Sequence, residues 1–112
     1  MIAGLSMGLF DFLKPQGSSR KLLLDLVVHN ADVIERNEGR SRNDAEYLAI
    51  CLIIDDLRKR PNGRHGYQTL IDIVEKDYPQ QLNDIITYVA WSTGRIHLNP
   101  EAEATMKKRL AK

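Results

Sequence analysis

Apolar residues recur at intervals of three and four along most of the chain, which is the spacing of one face of an α-helix. No segment alternates apolar with polar residues for long enough to predict a β-strand. We expect the first helix to begin at Ser18 or Ser19, where serine is a good N-cap, and to end at Gly39. Its apolar positions are Leu23, Leu24, Val27, Ala31 and Ile34. The pattern therefore predicts an all-α protein.

The second helix is the predicted centre of the fold. It begins at Asn43, with Glu46 three residues later in the arrangement of a capping box, and ends at Arg60 before Pro61. From Tyr47 to Ile54 every residue is apolar. A helix that is apolar on all faces is surrounded by other helices, so we expect residues 43–60 to form the core.

Three shorter helices complete the prediction, separated by a turn at Tyr78 and Pro79 and by a stop at Gly94. Asn99 caps the last of them, with Pro100 at its first position. Their apolar faces are Tyr67, Leu70, Ile71 and Val74; Leu82, Ile85, Ile86 and Val89; and Ala102, Met106 and Leu110. Because the turns between these helices are short, we expect a compact globular bundle of five to six helices. Residues 17–112 would form this single domain, after an N-terminal extension over residues 1–16.

The N-terminal extension contains a short amphipathic segment. Leu9, Phe10, Phe12 and Leu13 suit about two turns of helix before Pro15. A helix this short is not stable alone in water, so we expect the segment to dock on another surface. The domain itself, a membrane surface and a partner chain remain the alternatives. A secretory signal requires Lys or Arg before its apolar stretch, and here none precedes it.

Composition narrows the class of protein. A chain of 112 residues has room for one domain, and 16 Lys and Arg against 15 Asp and Glu leave a formal charge of +1. A net charge this close to zero does not attract a polyanion over long range. The single Cys51 excludes an internal disulfide and fits a reducing compartment, and within the apolar run burial would make its thiol inert. We expect a cytoplasmic protein of bacterial type.

Charge placement offers one candidate binding surface. The helix over residues 43–60 ends in basic residues, as the helix macrodipole prefers, whereas the helix from Ser19 begins with them, against that preference. A short connection from Glu38 to Arg42 predicts that the two helices pack as an antiparallel hairpin, which would bring the two basic ends together. The predicted basic pole consists of Arg20, Lys21, Arg58, Lys59, Arg60 and Arg64.

The most exposed part of the basic pole would be a loop over residues 58–66. Two glycines in it, Gly63 and Gly66, would allow the backbone to approach a phosphate closely. The alternative is that these cations pair with Asp25, Asp55 and Asp56 at helical spacing and are otherwise solvated. Cations paired one by one with acids, or scattered over opposite faces, would remove the case for the pole.

No catalytic or metal-binding pattern stands out from the background. One polar stripe could orient a general base or hold a metal, but it lacks metal-ligand spacing and suits the solvated face of a helix. That stripe is formed by Asp25, His29, Asp32 and Arg36. Asp55 and Asp56 lack the third carboxylate of a magnesium motif. We therefore expect no enzyme activity, no cofactor and no metal.

The leading hypothesis is a small regulatory, adaptor or inhibitor protein that binds another macromolecule through the basic pole. Another protein is the partner that we expect first. A nucleic-acid-binding protein is the alternative, since the same cations suit phosphates. Peripheral attachment to an anionic membrane through residues 9–13 and the nearby cations is a further alternative. A self-complementary apolar face would make the chain a homodimer.

Overall fold

A computed structural model describes residues 19–61 and 63–110 of the chain. Within these residues the secondary structure is helical, and the predicted all-α class is confirmed. The helices are α1 (Ser19–Glu38), α2 (Arg42–Arg58), α3 (Gly63–Asp77), a 3-10 turn (Pro79–Gln81), α4 (Leu82–Ser92) and α5 (Pro100–Leu110). The predicted N-terminal extension, residues 1–16 with Leu9, Phe10, Phe12 and Leu13, lies outside the described residues.

α1 and α2 form the most extensive helix pair of the described fold. Gly39 ends α1 as predicted, with a φ of 67° and its amide donating to the carbonyl of Glu35 at 3.1 Å. A positive φ at this position suits glycine, which has no Cβ to clash. Small residues let the two helices approach closely, since Ala31 of α1 and Ala45 and Ala49 of α2 are fully buried in one cluster.

The start of α2 corrects the sequence prediction. Ser41, not Asn43, is the N-cap, and its hydroxyl accepts a hydrogen bond from the amide of Asp44 at 3.2 Å. Asn43 instead holds the 3-10 turn: the side-chain amide of the buried Gln81 donates to its carbonyl and its side-chain oxygen, both at 2.8 Å. These two hydrogen bonds hold the α3–α4 connection against the first turn of α2.

α2 is the central helix, as the apolar run predicts. It packs against α1, α3, α4 and α5. Leu52 is the exception within the run, because its side chain is 43% exposed. The buried residues of α2 are Ala45, Tyr47, Leu48, Ala49, Ile50, Cys51, Ile53, Ile54 and Leu57.

The corner between α2 and α3 also differs from the prediction. Residues 63–66 are the first turn of α3, not part of an exposed loop, and Gly63 and Gly66 are both buried. A Cβ at Gly63 would lie 1.8 Å from the carbonyl oxygen of Leu57, and one at Gly66 would lie 3.0 Å from a Leu57 methyl carbon. The glycines therefore permit close helix packing and are not available to a phosphate.

The C-terminal helix has the smallest apolar interface. Gly94, with a φ of 77°, ends the α4 segment, and the residues that follow it are exposed as far as His97. Asn99 caps α5 as predicted, its side-chain oxygen accepting from the amide of Ala102 at 2.7 Å. Between Pro100 and Leu110 only Met106 is buried. None of the helices described here is long and apolar enough to cross a bilayer.

Candidate interaction surface

Four of the six cations of the predicted basic pole lie close to carboxylates. The pairs are Arg20 with Asp77 at 3.0 Å, Lys21 with Asp25 at 3.4 Å, Arg58 with Asp55 at 3.0 Å and Arg60 with Asp56 at 3.2 Å. Three of these pairs join residues three or four positions apart along the chain. The fourth joins the start of α1 to the end of α3. The pairs with Asp25, Asp55 and Asp56 are those that the solvated alternative predicts, whereas the pair of Arg20 with Asp77 is not. Most of the positive charge of the pole is therefore compensated.

Arg58 is part of a structural network between α2 and α4. Its guanidinium bonds Asp55 at 3.0 Å and the Ser92 hydroxyl at 3.0 Å. The Tyr88 hydroxyl lies 2.9 and 2.8 Å from the two carboxylate oxygens of Asp55. Burial of the phenol, with this bond to the anionic carboxylate, raises the pKa of Tyr88 above its usual value. The arrangement fixes α4 on the central helix and leaves Arg58 little freedom to bind a partner.

Replacing Tyr88 with Phe removes the hydroxyl but keeps the ring. We expect the free energy of unfolding to fall by about 1.5–3 kcal/mol, since a hydrogen bond to a charged group is lost. Tyr67→Phe is the control, because the hydroxyl of the half-buried Tyr67 has no hydrogen bond to any described residue. Urea denaturation measures both, and equal losses in the two variants would contradict a stabilising role for the Tyr88–Asp55 bond.

Two cations of the predicted pole keep their charge uncompensated. Lys59 is the C-cap residue of α2, and Arg64 lies in the first turn of α3. Both residues are exposed, and neither side chain makes an ion pair with a carboxylate of the described residues. Within residues 19–61 and 63–110, the basic pole is thus reduced to this pair, which we call the α2–α3 corner cations.

One residue of the polar stripe of α1, Asp32, belongs to an ionic network around Arg42. Arg42, at the start of α2, hydrogen-bonds to Asp32 and Glu35 of α1 and to Glu46 of its own helix. The guanidinium of Arg42 lowers the pKa of Asp32, because it stabilises the charged carboxylate. His29 of the stripe is exposed. No group of three or more His, Cys, Asp or Glu among the described residues is placed to hold a metal ion.

A second ionic network is centred on Arg109 of α5, and the sequence pattern does not predict it. Its Nε lies 3.0 Å from Asp44 of α2, and its Nη1 lies 2.9 Å from Asp84 of α4. The guanidinium also stacks on Tyr47, with its carbon 3.9 Å from the ring centroid. Arg40, in the α1–α2 connection, donates to the Arg109 carbonyl at 2.7 Å. All of these partners are distant in sequence, so no helical spacing points to them.

Cys51 is buried, as its place in the apolar run predicts. Desolvation raises the pKa of its thiol to about 12, and the Tyr47 side chain only partly offsets this effect. The thiolate is the nucleophilic form of cysteine, so Cys51 is held in its unreactive state near neutral pH. Burial of this side chain follows directly from the pattern of the central helix.

Comparison with protein families, with curated proteins and with solved structures gives no match to this chain.

Proposed function

We propose that this chain is a non-enzymatic adaptor or regulatory protein that binds an acidic segment of another protein through the α2–α3 corner cations, Lys59 and Arg64. The observation that carries the proposal is their position: two exposed, uncompensated positive charges on either side of one tight turn. The turn is held in shape by the amide of Gly63, which donates to the carbonyl of Arg60 at 3.1 Å. The hydrogen bond limits the backbone ordering cost of presenting both charges, while the two side chains still lose rotamer freedom on binding.

Arg20 and Lys21 lie toward the other end of α3 from the corner cations, because Arg20 pairs with Asp77 at the end of α3 and Arg64 lies at its start. Arg20 and Lys21 make exposed ion pairs, and such pairs contribute little to stability because water screens them. The acids that remain nearby limit how much negative charge the surface accepts, which favours a short acidic segment over a long polyanion.

This charge balance separates the proposal from its nucleic-acid alternative. Each phosphate contact with duplex DNA contributes about −0.9 to the slope of log affinity against log salt concentration. Two uncompensated cations predict a slope of about −2, whereas a protein that makes six to ten phosphate contacts has a slope of roughly −5 to −9. We therefore place an acidic protein partner ahead of DNA or RNA.

A short glutamate peptide of defined length is a suitable probe of the corner cations. In a titration followed by amide chemical shifts at low salt, we expect the largest shifts between Leu57 and His65. Lys59→Glu/Arg64→Glu reverses both charges, and we expect affinity to fall at least about fivefold. Lys76→Glu/Arg95→Glu is a matched control, since it replaces one exposed Lys and one exposed Arg that also lack ion pairs within the described residues.

Equal weakening by the two double variants would mean that only net charge matters, and would refute the proposed surface. The same variants titrated with duplex DNA at several salt concentrations test the alternative. A slope steeper than about −4 would favour nucleic acid over an acidic protein. Thermal melting of each variant verifies that the fold is retained.

The membrane alternative has a separate test, since it depends on residues outside the described part of the chain. Phe10→Ser/Phe12→Ser removes the apolar character of the amphipathic segment while it keeps the chain whole. Flotation with vesicles that contain phosphatidylserine would show less recovery of this variant if the segment anchors the protein. Equal recovery of the variant and the wild type would eliminate that role.

A further inference from the structure

Few contacts attach α5 to the rest of the fold: the buried Met106, the half-buried Leu110, the ion pairs of Arg109 and the bond from Arg40 to the Arg109 carbonyl. Met106 is its only buried residue between Pro100 and Leu110, and Arg109 supplies its ion pairs to Asp44 and Asp84. A groove of about 270 Å³ runs beside this contact, lined by α5 residues and by Tyr47 and Thr87. Little apolar surface therefore holds α5 in place, and the hydrophobic contribution to its docking is small.

The connection before α5 allows the helix to leave without disturbing the core. Residues from Ser92 to His97 are exposed, and Gly94 adopts a positive φ. Only Leu98 of the connection is half-buried. Segments with few buried apolar contacts open at lower free energy than the core does. An isolated helix of this length is marginal in water, so a detached α5 loses its backbone hydrogen bonds.

We propose that α5 is a latch, locked by Arg109, that opens as a unit while α1–α4 stay folded. Opening separates the Arg109 guanidinium from the Tyr47 ring, from Asp44 and from Asp84. It uncovers the face of α2 that carries Tyr47, whose side chain is 1% exposed in the closed state. The open state thus presents an aromatic surface that the closed state hides. This proposal does not depend on the α2–α3 corner cations.

Native-state hydrogen exchange over a range of low urea concentrations tests the latch. We expect α5 amides to exchange at least about tenfold faster than those of α2, because a local opening costs less than global unfolding. We also expect their exchange to depend weakly on urea, since a local opening exposes little surface. Amides of α5 that share the rate and the urea dependence of α2 would show that α5 opens only in global unfolding, and would refute the latch.

Arg109→Met tests the lock, with Lys108→Met as the matched control on the same helix turn. Lys108 is exposed and makes no ion pair within the described residues. We expect Arg109→Met to speed α5 exchange by about tenfold through the loss of two ion pairs and the ring contact, and Lys108→Met to change it less than about twofold. Equal acceleration in the two variants would overturn the role of Arg109.

If Arg109→Met does not fold, Asp84→Asn and the salt dependence of the wild type test the same ion pairs. Asp84→Asn keeps the arginine and removes one of its partners, so we expect a smaller acceleration of α5 exchange than with Arg109→Met. Raising the ionic strength of the wild type screens the same pairs and should also speed α5 exchange. If neither Asp84→Asn nor added salt accelerates α5 relative to α2, the ion pairs do not form the lock.

Discussion

Leu57→Ala will lower the free energy of unfolding by about 2–5 kcal/mol, in the range of buried leucine truncations. Leu57 is 2% exposed and lies at the end of the central helix, where it packs on the first turn of α3. Truncation removes its burial and leaves a cavity that the backbone of Gly63 and Gly66 does not fill, since glycine has no side chain to move into it. Urea denaturation of the purified variant measures the loss.

Leu52→Ala is the matched control on the same helix. Leu52 is 43% exposed, so the same truncation removes much less buried surface, and we expect a loss of about 1 kcal/mol or less. A loss as large as that of Leu57→Ala would contradict the prediction. If the stability of the wild type also fell on dilution, and the loss caused by Leu52→Ala shrank with it, another chain would cover Leu52, as in a homodimer.

The helical architecture was predictable because its signals are local. Apolar spacing in α1 and α2, the stop at Gly39 and the Asn99–Pro100 start of α5 each depend on residues a few positions apart. The predicted start of α2 at Asn43 was wrong, because Ser41, two residues earlier, is an equally good cap. The choice of cap depends on the 3-10 turn, because Gln81 of that turn donates hydrogen bonds to Asn43 and so engages its side chain.

The candidate surface was harder to predict than the fold. Asp55 with Arg58 and Asp56 with Arg60 follow helical spacing, so the sequence offers them as pairs. Arg20 finds Asp77 across 57 positions, and no local pattern reveals such a contact. The Arg109 network was missed for the same reason. Long-range ion pairs depend on how the helices cross, which spacing along the chain does not determine.

The corner between α2 and α3 shows how a local signal misleads. Pro61 and two glycines indicate a loop, because both residue types disfavour a helix interior. Here the helix starts at Gly63 because only a residue without a Cβ fits against the carbonyl of Leu57. Packing against α2 outweighs the low helix propensity of glycine, which amounts to about 1 kcal/mol.

Gly63→Ala tests this explanation and should be the most disruptive single substitution at the corner. The new methyl carbon would lie 1.8 Å from the carbonyl oxygen of Leu57, and backbone must move to relieve the clash. We expect the free energy of unfolding to fall by at least about 3 kcal/mol, at the upper end of overpacking effects. Urea denaturation measures the loss, and circular dichroism reports whether the variant folds.

Gly66→Ala is the control, because it makes the same chemical change one turn later. Its methyl carbon would meet the end of the Leu57 side chain, and not backbone, at 3.0 Å, so a shift of a few tenths of an ångström in that side chain relieves the contact. The substitution also gains helix propensity of roughly 0.5–1 kcal/mol, so we expect stability within about 1 kcal/mol of the wild type. Both variants restrict the unfolded chain equally, which leaves native packing as the source of the difference. Equal stability of the two variants would mean that the corner yields to the extra carbon, and that packing against Leu57 is not why glycine begins α3.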